Sequence, residues 1–157
     1  MLAEKTSMKV CLILEENEDI LFLEQTAKNG GRFSLIGGKV DKEEFAVQSL
    51  IRESYEEAGI ALREQNLSLV HVLQLQSNKK SQLILYFKAA VWDGIIRSYE
   101  PKKFKQVKWF PKNSLPENIS DVNRTVLERY RDGKTFTNIA VDITVKMNMV
   151  EEVFEFQ

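Results

Sequence analysis

Three glutamates at helical spacing are the residues of this 157-residue sequence whose types could do chemistry together. Glu53, Glu56 and Glu57 stand at positions i, i+3 and i+4, so a helix would project all three from one side. Like charges at this spacing destabilise a helix by roughly 0.2–0.5 kcal/mol per pair, and a bound cation would remove that repulsion. Because the donors are all carboxylate oxygens, they suit Mg²⁺ or Mn²⁺ better than zinc. The spacing therefore predicts a divalent metal site, the alternative being a plain solvated helix face.

The glutamates belong to a longer pattern over residues 38–60, which reads GKVDKEEFAVQSLIRESYEEAGI. Five residues separate Gly38 from Glu44, seven separate Glu44 from the pair Arg52-Glu53, and two more precede Glu56-Glu57. This arrangement resembles the Nudix box, with each charged and glycine position filled and in register.

The sequence departs from that motif at three places. Ser54 stands where an aliphatic residue is common, Ile36 where Pro is common and Glu43 where Gly is common. The resemblance implies an α/β/α sandwich with a mixed central sheet. It also implies hydrolysis of a nucleoside diphosphate linked to another group, by attack of water on phosphorus beside two or three divalent ions.

The resemblance implies a role for each residue of the motif. Glu53 and Glu57 would be the primary metal ligands and Glu56 the next. A backbone carbonyl at Gly37 or Gly38 would add a ligand, since glycines let the backbone approach closely. Arg52 and Glu44 would form a supporting pair that orients the carboxylates, the alternative being an ordinary surface ion pair.

The identity of the general base stays open at this stage. In parts of the family a glutamate on a loop before a late strand joins the metal site, and Glu100 in Tyr99-Glu100-Pro101 lies in such a loop. Glu100 is therefore expected to be an extra ligand or the base, with Glu53 as the fallback base. The alternative for Glu100 is a solvated loop residue.

Substrate contacts are predicted from positions around the motif. Trp109 and Phe110 could stack on a nucleobase, although at strand spacing one of them belongs to the core. Asn118 and Asp121 would read polar base edges or serve as turn and cap residues. The remaining expected contacts are Phe33, next to the glycines, and Arg32 and Lys39, which would bind phosphates. A run of lysines over residues 102–112 is expected to be a solvated basic loop rather than a site for polyphosphate or RNA.

Composition favours a small soluble enzyme of one domain. The net charge of −1 argues against a dedicated nucleic-acid binder. Cys11 is the only cysteine and His71 the only histidine, so no intrachain disulfide and no Cys/His zinc site can form. No signal peptide and no apolar run of membrane-spanning length is visible, so we expect a cytoplasmic location and no membrane partner.

The elements that must position these residues can be predicted from periodicity. A hairpin is expected from strands at 8–14 and 20–23 with a turn at 15–19, then a short strand at 33–36 that Gly37 and Gly38 break. A helix is expected from about 42 to 58, with Asp41 as N-cap, Glu44 closing a capping box and Gly59 at C′. Later strands are expected at 67–75, 82–91 and 106–110, and a second helix at 122–131. The order predicts an α+β sandwich, a single domain over 1–157 with its core at about 8–132.

The last twenty-five residues, 133–157, are expected to extend the core by a strand. Apolar residues occupy every odd position from Ile139 to Met149, which predicts a strand with one buried face. Such a strand would extend the domain's own sheet or pair with a second subunit, and we favour a homodimer.

Three functions fit these residues. The favoured one is a MutT-like pyrophosphohydrolase that cleaves a nucleoside triphosphate to the monophosphate and pyrophosphate. The second is the same chemistry on a nucleotide sugar, a dinucleoside polyphosphate or an RNA 5′ end. The third is a non-catalytic nucleotide-binding Nudix domain, against which the complete set of glutamates argues.

Overall fold

The computed structural model describes residues 5–141, and within that range the chain forms nine strands and two α-helices. The strands are β1 (Lys5–Ile13), β2 (Glu15–Glu16), β3 (Asp19–Gln25), β4 (Phe33–Ser34), β5 (Ile36–Lys39), β6 (Leu67–Ser77), β7 (Lys80–Ala89), β8 (Phe104–Pro111) and β9 (Phe136–Val141). The helices are α1 (Ala46–Ala58) and α2 (Asp121–Arg131).

The main sheet is mixed and has five strands in the order β5-β1-β7-β6-β9. β1 runs parallel to β7 and β6 parallel to β9, whereas β5 and β1, and β7 and β6, are antiparallel. A second, antiparallel sheet forms around β3, which pairs with β2, β4 and β8. The predicted mixed sheet is confirmed, and this second sheet is an addition that the sequence analysis did not foresee.

Two apolar cores lie on opposite faces of the main sheet, because successive residues of β1 point in opposite directions. Val10 and Leu12 pack with Leu50 of α1 on one face. Ile13 packs with Val126 and Leu127 of α2 on the other. The helices therefore cover opposite faces, as the α/β/α sandwich requires.

Helix α1 begins four residues later than predicted, at Ala46. Asp41 is therefore not its N-cap. The first turn is instead supported by Gln48, whose Oε1 accepts a hydrogen bond of 2.7 Å from the backbone N–H of Phe45. Glu44 is not part of a capping box, because its carboxylate binds Arg52 and Ser49. The predicted C-terminal residue is confirmed: Gly59 has a left-handed φ of 70° and its N–H bonds back to the helix.

The glycines at 37 and 38 do not end a strand, contrary to prediction. They lie inside β5, where Gly37 pairs with Cys11 and Gly38 with Val10. A Cβ at Gly37 would overlap the backbone of Val10, so only glycine permits this close pairing.

Strand β9 begins at Phe136, three residues before the predicted start, and its described part ends at Val141. It pairs with β6 and so extends the domain's own main sheet. The rest of the predicted strand, 142–149, lies outside the described residues, and the homodimer stays a prediction. No helix within 5–141 has the length and apolar character needed to cross a membrane.

Candidate active site

The three glutamates of the motif sit at different depths on α1. Glu57 is buried, with 6% of its surface exposed, because it is on the helix stripe that faces β1 and β5. Glu53 is half-buried and Glu56 is exposed at the outer side of the helix. The cluster therefore borders both the apolar core and solvent.

Glu57 is held at the edge of the main sheet by the glycine strand. Its Oε1 accepts a hydrogen bond of 3.2 Å from the backbone N–H of Gly37. Burial raises the pKa of Glu57 to about 8, and the neighbouring Glu53 and Glu100 add to the rise. Without a cation this carboxyl is therefore neutral at pH 7, and a cation would restore its charge.

Glu53 lies directly against the backbone of Gly38. A Cβ at position 38 would overlap the Glu53 carboxylate, so the glycine is what allows the contact. Burial raises the pKa of Glu53, and repulsion from Glu56 and Glu100 adds to the shift while Arg52 opposes it. The backbone of Gly38 and the carboxylate of Glu53 thus occupy the same small region.

Arg52 connects the carboxylates across the outer face of α1. Its Nε and Nη2 donate to the Glu44 carboxylate at 3.1 Å each, and its Nη1 donates to Glu56 Oε1 at 3.2 Å. Nη1 also lies 3.5 Å from Glu53 Oε1. The hydrogen bonds from Arg52 and then from Ser49 lower the pKa of Glu44. Arg52 therefore pairs with Glu44, as the sequence analysis predicted, and also contacts Glu56 and Glu53.

Glu100 reaches the cluster on the loop between β7 and β8. It is close enough to Glu57 and Glu53 to raise the pKa of both. Its Oε1 is buried without a hydrogen-bond partner, the nearest cation being Lys103 Nζ at 3.8 Å. A buried carboxylate oxygen with an unmet bonding capacity is costly, so this atom suits a ligand.

A divalent cation would fit the donor chemistry of this region. Glu53, Glu57 and Glu100 supply carboxylate oxygens, and the backbone at Gly38 is accessible beside them. Among residues 5–141, however, no three acidic, histidine or cysteine side chains converge closely enough to enclose an ion as they stand. Arg52 draws Glu56 outward and Gly37 holds one oxygen of Glu57, so these side chains must turn to close around a metal.

The predicted substrate contacts divide into two groups. Phe33 and Phe110 lie edge to face, with ring centroids 4.9 Å apart, and Lys108 Nζ lies 5.3 Å from the Phe110 ring. Asn118 is tied to the same segment, since its Nδ2 donates to Gly31 O at 2.8 Å. Trp109 packs into the core on the α1 side instead. Phe33 and Phe110 are partly buried and pack against the core on the α2 side, with Asn118 beside them, so Trp109 is separate from this group.

The three remaining predicted contacts are exposed. Arg32 directly precedes β4, and Lys39 is the last residue of β5. Asp121 is the first residue of α2, where Ser120 is the N-cap and accepts a hydrogen bond from the Asn123 N–H.

Carboxylates neutralise three of the lysines in the basic run over 102–112. Lys105 lies 3.5 Å from Glu24, Lys103 3.8 Å from Glu100 and Lys112 3.0 Å from Glu15. This pairing supports the interpretation as a solvated basic segment rather than an anion site.

Sequence reasoning missed two residues near the carboxylates. Ser49 is buried and its Oγ donates to Glu44 Oε1 at 2.7 Å. Tyr99, next to Glu100, packs against Gly59 at the end of α1. The spacing of Ser49 from Glu44 carries no signal, whereas an aromatic residue beside a candidate ligand would have been a reason to consider Tyr99.

Comparison with known proteins identifies the class. A sequence model of the NUDIX domain matches residues 5–130. This match covers most of the chain, which belongs to the NUDIX domain family and is a Nudix hydrolase. No curated protein matches the chain.

Solved structures of similar fold agree with this assignment. The MutT NUDIX hydrolase from Burkholderia pseudomallei is 27% identical, with a TM-score of 0.70, and the match covers 80% of this chain and 98% of that one. The MutT protein from Methanosarcina mazei Go1 has a TM-score of 0.71 at 20% identity, covering 86% and 100%. An ADP-ribose pyrophosphatase from Streptococcus suis has a TM-score of 0.58 at 14% identity, covering 86% and 98%.

Proposed function

We propose that this Nudix hydrolase is a MutT-like nucleoside triphosphate pyrophosphohydrolase that uses Mg²⁺ or Mn²⁺. The observation that carries the proposal is the buried Glu57, whose carboxyl faces Glu53 and Glu100 and has a pKa of about 8. Carboxyl groups near enough for Glu53 and Glu100 to raise the pKa of Glu57 are stable together only if protons or a cation neutralise them. The similarity to the MutT NUDIX hydrolase from B. pseudomallei supports the choice of substrate class.

The chain's own residues have distinct tasks in this proposal. Glu53, Glu57 and Glu100, with Glu56 and the Gly38 carbonyl, hold the divalent ion, which when bound stabilises the charge developing on the phosphate oxygens. Arg52 and Glu44 keep Glu56 and Glu53 in orientation. Glu53 accepts the proton of the attacking water, because it is half-buried, has a raised pKa and borders solvent.

Substrate binding is assigned to the surface next to β4 and β8. Phe33 and Phe110 offer aromatic area to a nucleobase, and Asn118 lies beside them. Arg32 and Lys39 are exposed and would bind the phosphates. Asp121 would contact the base edge from the start of α2. Trp109 is not among the proposed base contacts, because it packs against the core on the α1 side and Phe33 and Phe110 pack against the core on the α2 side.

The proposal extends to the partners, the location and the oligomeric state of the protein. A free nucleotide is the expected partner, with no membrane and no nucleic acid, since carboxylates neutralise much of the basic run over 102–112. We retain the cytoplasmic location and the homodimer as proposals.

A panel of nucleotides with millimolar Mg²⁺, with products separated by chromatography, tests the proposal. The panel contains nucleoside triphosphates, a nucleotide sugar, ADP-ribose and a dinucleoside polyphosphate. Release of a monophosphate and pyrophosphate from a triphosphate, faster than any other reaction, is expected. Turnover of only ADP-ribose or a nucleotide sugar would replace the substrate class but keep the metal site. No turnover of any compound would favour a binding domain.

A further inference from the structure

The loop over residues 93–100 supplies hydrogen-bond donors to the C-terminal end of α1. The last carbonyl groups of a helix have no partner within it. Here the N–H of Tyr99 donates to Glu57 O at 3.0 Å and the N–H of Arg97 donates to Ala58 O at 3.3 Å. Ala61 and Asp93 form a bridge of two backbone hydrogen bonds at 2.8 and 3.1 Å. The loop is therefore attached to the helix that carries the glutamates.

The Tyr99 ring lies on Gly59, the residue that ends α1. A Cβ at Gly59 would overlap this ring, so glycine leaves the space that the ring fills. Gly94 is equally tight, because a Cβ there would overlap the carbonyl oxygen of Gly59. The hydroxyl of Tyr99 donates to Ile95 O at 3.0 Å, and the Arg97 guanidinium lies 4.5 Å from the ring centroid. Three contacts, with Gly59, Ile95 and Arg97, thus fix the ring in one position.

The residue after Tyr99 connects this loop to the carboxylate cluster. Glu100 follows Tyr99 directly, and its backbone oxygen accepts hydrogen bonds from Lys103 and Phe104 at 2.9 and 2.8 Å. Its Oε1 has no hydrogen-bond partner and lies 3.8 Å from Nζ of Lys103, an exposed lysine of the same chain segment. The position of the Glu100 carboxylate therefore depends on how its backbone is anchored on both sides.

We propose that Tyr99 is a positioning residue for this reaction: its ring, packed on Gly59, fixes the loop over 93–100 on α1 and so holds the Glu100 carboxylate beside Glu53 and Glu57. This inference rests on the proposed role of Glu100 as a metal ligand. It adds a reason for the glycine at position 59 beyond its left-handed φ of 70°. Tyr55 lines the same surface cavity and is 65% exposed, whereas Tyr99 is 40% exposed.

A double-mutant cycle between Tyr99→Ala and Glu100→Gln tests the inference in the full chain. Mn²⁺ binding, measured by isothermal titration calorimetry, is the first readout, and kcat on the best triphosphate of the panel is the second. Glu100→Gln and Tyr99→Ala are each expected to weaken Mn²⁺ binding and lower kcat by about 10–100-fold. The double variant is expected to be no worse than Glu100→Gln alone, because Tyr99 acts only through Glu100.

Controls separate positioning from general damage. Tyr99→Phe keeps the ring on Gly59 and should restore both readouts, and Tyr55→Ala should match wild type. If Tyr99→Ala does not fold by circular dichroism, Tyr99→Leu takes its place in the cycle. Effects of Tyr99→Ala and Glu100→Gln that add in the double variant, or a Tyr99→Ala variant with wild-type Mn²⁺ binding, would overturn the inference.

The failure of the inference can be told from failure of the proposed function. If Glu57→Gln abolishes Mn²⁺ binding and Tyr99→Ala does not weaken it, only the positioning role is wrong. If Glu57→Gln and Glu100→Gln both bind Mn²⁺ like wild type, the metal site itself is wrong, and the role of Tyr99 falls with it.

Discussion

The backbone N–H of Gly37 donates to Glu57 Oε1 at 3.2 Å, across 20 positions of sequence. This bond joins the glycine strand β5 to helix α1 and places a carboxyl group at the edge of the main sheet. Burial makes the charged form of that group costly and raises its pKa to about 8. A protein that keeps such a group within electrostatic range of two other carboxylates gains from a cation in the same place.

Replacing Glu57 by Gln should abolish turnover while leaving the fold intact. The Gln amide oxygen can still accept the hydrogen bond from Gly37, but it cannot neutralise a cation. We expect kcat to fall by more than the roughly 10–100-fold that is typical of supporting residues. In chelator, thermal unfolding should occur at a higher temperature than in wild type, because a buried ionisable group has been removed.

The matched control is Glu43→Gln, an exposed glutamate that lies just before α1. It should match wild type in both kcat and unfolding temperature. Equal kcat in Glu57→Gln and wild type would contradict the role of Glu57.

Replacing Arg52 by Lys should not preserve activity, although the charge is kept. The Arg52 guanidinium contacts Glu44, Glu56 and Glu53 at once, and an ammonium group cannot match that planar fork. We expect a fall in kcat of about 10–100-fold with a smaller change in KM. Steady-state kinetics on the best substrate measures both kcat and KM. A Lys variant with wild-type kcat would show that Arg52 forms only a surface ion pair.

The motif and the order of the helices and strands could be predicted from the sequence. Helical spacing placed Glu53, Glu56 and Glu57 on one side of α1, and alternation identified most strands. The start of α1 could not be predicted, because Asp41 and Glu44 look like a capping box in sequence. In the folded chain Arg52 draws Glu44 away from that role. A tertiary ion pair of this kind has no local signature.

The prediction that Gly37 and Gly38 break a strand was wrong for a related reason. Gly37-Gly38 reads as a turn, since glycine is common in turns. The close approach of β1 and of the Glu53 side chain requires residues without Cβ atoms inside a strand instead. The contact between Tyr99 and Gly59 is likewise invisible in sequence, because 40 positions separate the two residues.

The contribution of His71 to stability should fall as pH is lowered from 7.5 to 5.5. This residue is 1% exposed, and burial lowers its pKa from the ordinary value of 6.5. Its Nδ1 lies 2.9 Å from Lys134 O and its Nε2 2.7 Å from Thr137 Oγ1, which also accepts a hydrogen bond from Arg129. This arrangement suits a neutral ring with the proton on Nδ1.

The sign follows from proton uptake. As the pH falls through 6.5, the unfolded chain takes up a proton on His71 more readily than the folded chain does, so protons favour unfolding. Each unit by which the pKa is lowered corresponds to about 1.4 kcal/mol. Glu57, with its raised pKa, adds stability as the pH falls over the same range in both proteins, so the difference between them isolates His71. Urea unfolding at several pH values should show that wild type loses stability relative to His71→Gln as the pH is lowered. Parallel pH profiles for the two proteins would disprove the assignment.

Phe33 and Trp109 both pack against a core, on opposite sides of the main sheet, and their substitutions should differ in the effect on substrate binding. Phe33→Ala should raise KM for the best nucleotide with little effect on kcat, because Phe33 and Phe110 form the proposed base-binding surface. Trp109→Ala should instead lower the free energy of unfolding by about 3 kcal/mol, since Trp109 packs against the core. Kinetics and urea unfolding of both variants measure the difference. An unchanged KM in Phe33→Ala would place the base elsewhere.

The most direct test of the central claim is hydrolysis of a nucleoside triphosphate with Mg²⁺ and with excess chelator, on the same protein. We predict monophosphate and pyrophosphate with millimolar Mg²⁺ and no product in chelator. The circular dichroism spectrum should be unchanged, because the core of the fold is apolar. Full hydrolysis in chelator would contradict a carboxylate site built to hold a divalent cation.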